Sequence, residues 1–212
     1  MKLESNKKSS SFEPISEDLH EAVCIGSIGI GKQTFVYNGE TKILNKMLLL
    51  WEIPKERREW ENKEGEKFEG PATISKEYTV SFNEKSNLVK DLKQWLGEKD
   101  FEGFDTDDLV GQSCRLMIGH SKGKNQNADK TYANVTGISK YKGDPIEPEQ
   151  ELVCYNPENH TEESFSKLKE WIQKKVILAD GTCPHVEGNK TGDIPKSNQS
   201  EITEPQKEDI PF

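Results

Sequence analysis

Apolar and polar residues alternate with a period of two from Ile74 to Phe82, the signature of a strand buried on one face. Leu19 to Ile30 reads as an earlier strand, with Gly26, Gly29 and Gly31 marking bends or bulges. Asn38-Gly39 is a hairpin signal, and Lys42 to Ile53 supplies the partner strand. Lys55 to Pro71 is charged and contains glycine, which predicts an extended exposed loop. The period then changes to that of a helix. Asn83 or Ser86 can cap it, Leu88, Leu92, Trp95 and Leu96 share one face, and Gly97 stops it. Ser113 to His120 and Thr131 to Tyr141 are two more strands, joined by a basic hairpin loop from Ser121 to Lys130. Glu162 to Leu178 predicts a second helix with Phe165, Leu168, Trp171 and Ile172 on one face, to be packed on the barrel that these strands form or on another subunit.

Three strands, a helix and two strands is the order of an OB-fold, a five-stranded Greek-key barrel with its helix between the third and fourth strands. The expected class is therefore mainly β. Residues 1–14 form a disordered N-terminal arm, polar from Met1 to Ser11, with Phe12-Glu13-Pro14-Ile15 as the entry segment that anchors the chain to the barrel of residues 15–141. Residues 142–179 form a linker and the C-terminal helix, and residues 180–212 an acidic tail with too few apolar residues to order itself.

Hydrophobic and charged residues each make up 32% of the chain, so the core is modest. A formal charge of −9 argues at first against a nucleic-acid partner. Its distribution changes that picture. Gly181 to Phe212 holds six acids against three lysines, and Lys142 to Asp180 nine against five, so these segments carry −7. The remainder is close to neutral and can still present a basic groove. Cys24, Cys114, Cys154 and Cys183 are widely spaced, without a Cys-x-x-Cys pair. With a Lys/Ser/Asn-rich N-terminus and no signal peptide, free thiols in a reducing cytoplasm are expected. The longest apolar run, Met47 to Trp51, is far too short to cross a bilayer.

Gly26 to Thr34 nearly spells a phosphate-binding loop, but Gln33 stands where Ser or Thr would hold magnesium, and a strand-like stretch follows instead of a helix. Glycines that let a strand bend are the better reading. Cys183-Pro184-His185 has no further ligands nearby, and His20, His120 and His160 are scattered, so neither metal nor cofactor is expected. No hydrolase motif is present, and an enzyme is not expected.

Single-strand binding asks for exposed rings on which bases stack, interleaved with cations that follow the phosphates. Phe35 and Tyr37 lie beside Lys32 and Lys42, and Trp60 follows Arg57 and Arg58 in a segment too polar to bury it. Lys76 and Tyr78 share a strand face, and Tyr132 follows Lys122, Lys124 and Lys130. Trp51 and Phe82, with apolar neighbours, read as core; for Tyr78 and Tyr132 the sequence leaves core and exposure equally open.

The last residues, Glu208-Asp209-Ile210-Pro211-Phe212, have the chemistry of a docking peptide. The ring can fill an apolar pocket, the α-carboxylate can meet an arginine, and proline limits the freedom lost on binding. This ending resembles the acidic tip of bacterial single-stranded-DNA-binding proteins, with Glu208 in place of its first acid; the resemblance implies that Asp209, Ile210, Pro211 and Phe212 recruit replication or recombination enzymes. Phe12-Glu13-Pro14-Ile15, Leu49 to Pro54, Ser75 to Thr79, Lys85 to Leu92 and Tyr132-Ala133-Asn134-Val135 also resemble stretches of bacteriophage replication-associated proteins thought to bind single-stranded DNA through an OB-like domain. That likeness runs from about Phe12 to Ser139. The expected function is sequence-tolerant coating of single-stranded DNA during phage replication or recombination, in the host cytoplasm. Two alternatives stay open: an OB-fold interaction module of a replication complex without DNA binding, and a metal-dependent nuclease. Oligomeric state is not legible.

Overall fold

The computed structural model describes residues 13–37, 39–61, 65–123 and 125–185. The chain is mainly β. Its strands are β1 (Leu19–Tyr37), β2 (Glu40–Glu61), β3 (Lys67–Thr79), β4 (Ser113–Lys122), β5 (Thr131–Lys140) and β6 (Val153–Tyr155). Its helices are α1 (Asn87–Leu96), α2 (Glu162–Ser166) and α3 (Glu170–Gln173). The described residues fall into two compact units, one within Met1–Ile28 and Met47–Tyr155, the other within Gly29–Lys46 and Asn156–Phe212. The strands β1 and β2 contribute residues to both.

In the larger unit the sheet order is β3-β2-β1-β4-β5, with β6 added in parallel to β1 at Gly26–Ile28. The remaining described ladders are antiparallel, β4 lying on Leu19–Val23 of β1 and β5 on β4 with a bulge between Met117 and Ile118. The sheet is not closed: no ladder joins β3 to β5 among the described residues. A closed five-stranded barrel was expected, and an open six-stranded sheet stands in its place.

One face of this sheet makes the core. Ala22 and Cys24 of β1, Met47, Leu49, Trp51 and Ile53 of β2, Ile74 and Tyr78 of β3 and Leu116 of β4 are buried together. The helix α1 covers them. Ser86 caps it by accepting from the Val89 amide at 3.2 Å, and Gly97, at φ +93, ends it by donating to the Lys93 carbonyl at 2.9 Å. Leu88, Val89, Leu92 and Trp95 are its buried side, and the Trp95 indole donates to the Ser113 carbonyl at 3.0 Å. The helix touches both β3 and β5, and those two strands also approach one another.

Two expected elements are corrected. The segment from Lys55 to Pro71 is not an extended loop, because β2 continues to Glu61 and β3 begins at Lys67. Its charges are compatible with a strand since they pair: the Glu56 carboxylate accepts from the Ser16 hydroxyl at 2.6 Å and faces Arg58 at 3.8 Å. The single helix from Glu162 to Leu178 is broken. In the smaller unit Lys169 is extended, with ψ 141, and separates α2 from α3. The Gln173 side chain bridges the break by donating to the Phe165 and Leu168 carbonyls, the first of which also accepts the Leu168 amide. In this arrangement Phe165, Leu168, Ile172 and Val176 are each buried, and Trp171 is exposed.

Candidate nucleic-acid interface

The glycine-rich stretch from Gly26 to Thr34 lies inside β1. No helix follows it, so its amides form no phosphate cradle. Gly31 has a packing reason instead. A Cβ on Gly31, which sits at φ +74, would stand 1.9 Å from the Ile177 carbonyl oxygen. Among the described residues no three His, Cys, Asp or Glu side chains gather into a metal-binding group. No helix there is long and apolar enough to cross a membrane.

Aromatic side chains expected to stack divide sharply. Trp60, near the end of β2, is 51% exposed, and its ring stacks on Phe68 of β3, itself 43% exposed, at 6.1 Å with planes 16° apart. Gly70 makes this possible, because a Cβ there would meet the Trp60 ring at 2.8 Å. Phe68, Gly70, Ala72, Ile74 and Tyr78 are alternate positions of β3, so the aromatic pair continues the core face beyond the point where the core ends. Phe68 is hidden in the sequence by the charge of the segment Lys55 to Pro71, which reads as a loop. The signal that could have found it is the alternation of Phe68, Gly70 and Ala72 leading into the clear strand at Ile74.

Tyr78 and Lys76 are corrections. The Tyr78 ring is 2% exposed, and its hydroxyl donates to Asp91 of α1 at 2.7 Å. Lys76 ion-pairs with the same carboxylate oxygen at 2.7 Å and lies over the Tyr78 ring at 5.3 Å. Burial, with the Asp91 charge second, pushes the phenol far above its usual range. Neither group offers itself to a base or a phosphate. Trp51 is core as expected, tilted against Trp95 at 6.3 Å. Phe82, expected in the core, is 38% exposed and lines a shallow cavity of about 330 Å³ with Val89, Phe101 and a mixture of lysines and acids.

The arginines are also engaged. Arg57 Nη1 binds Glu149 at 2.6 Å and its Nε binds Glu69 at 3.1 Å, and these carboxylates, Glu149 first, raise the guanidinium pKa. Arg58 is half-buried beside Glu56. The loop between β4 and β5 is freer. Lys122 and Lys130 are exposed, Lys122 donates to the Thr131 hydroxyl at 2.9 Å, and the Tyr132 ring is 44% exposed. The hairpin closes through the Gly123 amide on the Lys130 carbonyl at 2.9 Å. In the smaller unit Lys32 is exposed, and Lys46 lies 5.1 Å from the half-buried Phe35 ring. Lys124, the Tyr37 side chain and Asp209, Ile210, Pro211 and Phe212 lie outside the described residues.

Comparison with known proteins finds no match: no family model, curated protein or solved structure aligns with the chain.

Proposed function

We propose that this chain is a sequence-tolerant single-stranded-DNA-binding protein of replication or recombination, built on an open OB-like sheet. The order β3-β2-β1-β4-β5, with α1 between β3 and β4, is that of an OB barrel parted between β3 and β5. Such folds bind oligonucleotides on their second and third strands and on the loops that follow their first and fourth strands. In the larger unit β2 and β3 carry the rings Trp60 and Phe68, and the β4–β5 loop carries Tyr132 with Lys122 and Lys130; in the smaller unit, taken by itself, Phe35 lies with Lys32 and Lys46.

The observation that carries the reading is the Trp60–Phe68 pair. Two large rings, parallel, half in solvent and backed by a glycine, have no packing reason to remain exposed, and bases stack on such surfaces whatever their sequence. The C-terminal tip completes the proposal by recruiting partner enzymes.

Anisotropy titrations of labelled oligo-dT and of a duplex test it. Tighter binding of oligo-dT, falling steeply with salt as counterions are released, is the expected result. Equal affinity for both, or none for either, overturns it. The engagement of Arg57 and Lys76 by carboxylates favours a second reading, a protein-interaction module; stable co-purification with a replication enzyme and no oligonucleotide binding would select it.

A further inference from the structure

Within the larger unit, residues 141–155 leave the end of β5 and cross the sheet on the side away from the core. The Ile146 amide donates to the Ser113 hydroxyl of β4 at 2.9 Å, and the Gln150 side chain to the Pro71 carbonyl of β3 at 3.4 Å. The main anchor is Glu52. It sits between Trp51 and Ile53, which face the core, so its side chain leaves the opposite face of β2. That carboxylate is fully buried and accepts from two consecutive amides, Glu149 at Oε1 and Gln150 at Oε2, both at 2.9 Å. The segment then joins the sheet as β6.

This strap has two unlike sides. Ile146, Pro148 and Gln150 are half-buried against the sheet, while Glu147, Glu149 and Glu151 alternate with them and are exposed. Asp144 extends the acidic row, and no lysine or arginine occurs between Lys142 and Lys167. Glu149 reaches the guanidinium of Arg57, whose other edge meets Glu69. Glu69 lies between Phe68 and Gly70 on β3, so it points to the face opposite the aromatic pair.

We infer that this acidic strap is a built-in competitor for nucleic acid on the outer face of β2 and β3, with Glu149 holding Arg57 where a phosphate of a bound strand would sit. The inference rests on the nucleic-acid reading and gives it a direction. A bound strand that stacks on Trp60 and Phe68 passes around β3, the end strand of the sheet order, to reach Arg57, and Glu149 holds that guanidinium until a phosphate takes its place. A guanidinium with five donors can take a phosphate as readily as a carboxylate, so the contest is decided by charge and local concentration.

The test is a cycle of full-length proteins titrated with labelled oligo-dT over a salt series: wild type, Glu149→Gln, Arg57→Ala and the double variant. Glu149 is exposed and its amide stays on Glu52, so the substitution leaves the strap in place. Glu149→Gln should tighten binding at low salt by about two- to five-fold, the range of an exposed ion pair. The salt dependence should steepen by about 0.7 in slope, one phosphate's worth on a single strand. Arg57→Ala alone should change little, and in the double variant the gain should vanish. A gain that survives without Arg57, or no gain while wild type binds, overturns the strap's role and leaves the single-strand reading standing. If none of the four proteins binds oligo-dT, that reading falls and the competitor falls with it. Glu52→Gln adds a measurement that needs no DNA. It sets an amide donor against the strap's own N–H groups, so hydrogen exchange at Glu149 and Gln150 should accelerate; unchanged exchange would show that Glu52 is not the anchor.

Discussion

Trp60 and Tyr78 belong to the same kind of local sequence, an aromatic residue a short step from cations, and their fates are opposite. Trp60 rests on Phe68 and Gly70 at the open end of the core face of β3. Tyr78 lies further along that face, where α1 packs on it and Asp91 meets its hydroxyl. The difference is set by what stands across the strand. A phenol can be buried where a carboxylate satisfies it, and Lys76 then neutralises that carboxylate, so one ion pair converts an apparent binding residue into core. Trp60 instead stacks on Phe68, and both rings stay about half exposed.

The strongest way to break this contrast is to truncate the buried ring. Tyr78→Ala should cost about 3–5 kcal/mol of stability in urea unfolding, as large-to-small core changes do, and leave the oligonucleotide affinity of the folded protein unchanged. An affinity loss without a stability loss would place Tyr78 in the interface after all. Trp60→Ala should show the reverse. Binding of oligo-dT should weaken by about 1–3 kcal/mol, while stability shifts by no more than about 1 kcal/mol, the worth of one aromatic pair.

Alkali probes the buried side of the contrast through a thiol of the same core. Burial pushes the Cys24 pKa from 9.0 up to about 12. Between those values the unfolded chain loses its proton and the folded chain keeps it, so stability should fall as pH rises above 9 and should not fall on this account below it. The slope approaches about 1.4 kcal/mol per pH unit, read from urea midpoints in a series of buffers. Cys24→Ala should flatten that decline; an unaltered decline would mean that other groups govern it. The smallest effect belongs to Gly70→Ala. The new methyl must push the far end of the Trp60 indole aside. Affinity should fall by less than in Trp60→Ala, on the order of 0.5–1 kcal/mol, with stability nearly unchanged. A loss larger than that of Trp60→Ala would show that Gly70 acts on the strand rather than through the ring.

Elements with local punctuation were legible to within a residue or two. The helix α1 carries its own start at Ser86, its own stop at Gly97 and a one-sided apolar face, and β4 and β5 begin where the alternation begins. Elements whose limits depend on distant partners were not. The far part of β2 looks like a loop because Glu56 and Arg58 are charged, and becomes a strand because Ser16 and neighbouring charges satisfy them. The three residues of β6 have no signal of their own and are a strand only because β1 offers an edge at Gly26–Ile28. Of the candidate interface, Trp60, Lys122 and Lys130 are on the surface as their sequence context implies. Phe68 is an addition, Lys76 is ion-paired instead of free for phosphate, and Tyr78, for which core and exposure stand equally open in the sequence, is core.

By itself the sequence determined the mainly-β class, the order of the principal elements, the position of α1 and the concentration of acid in the C-terminal third. These follow from periodicity, capping and charge, which act over a few residues and need no knowledge of what lies opposite. Tertiary structure alone decided which cations are paired, which rings are covered, and that the segment after β5 returns across the sheet with Glu149 on Arg57 and Glu52 beneath it. The reason is physical: burial and ion pairing are properties of pairs of residues far apart in the chain, 97 positions in the case of Glu52 and the Glu149 amide, and no local pattern records them.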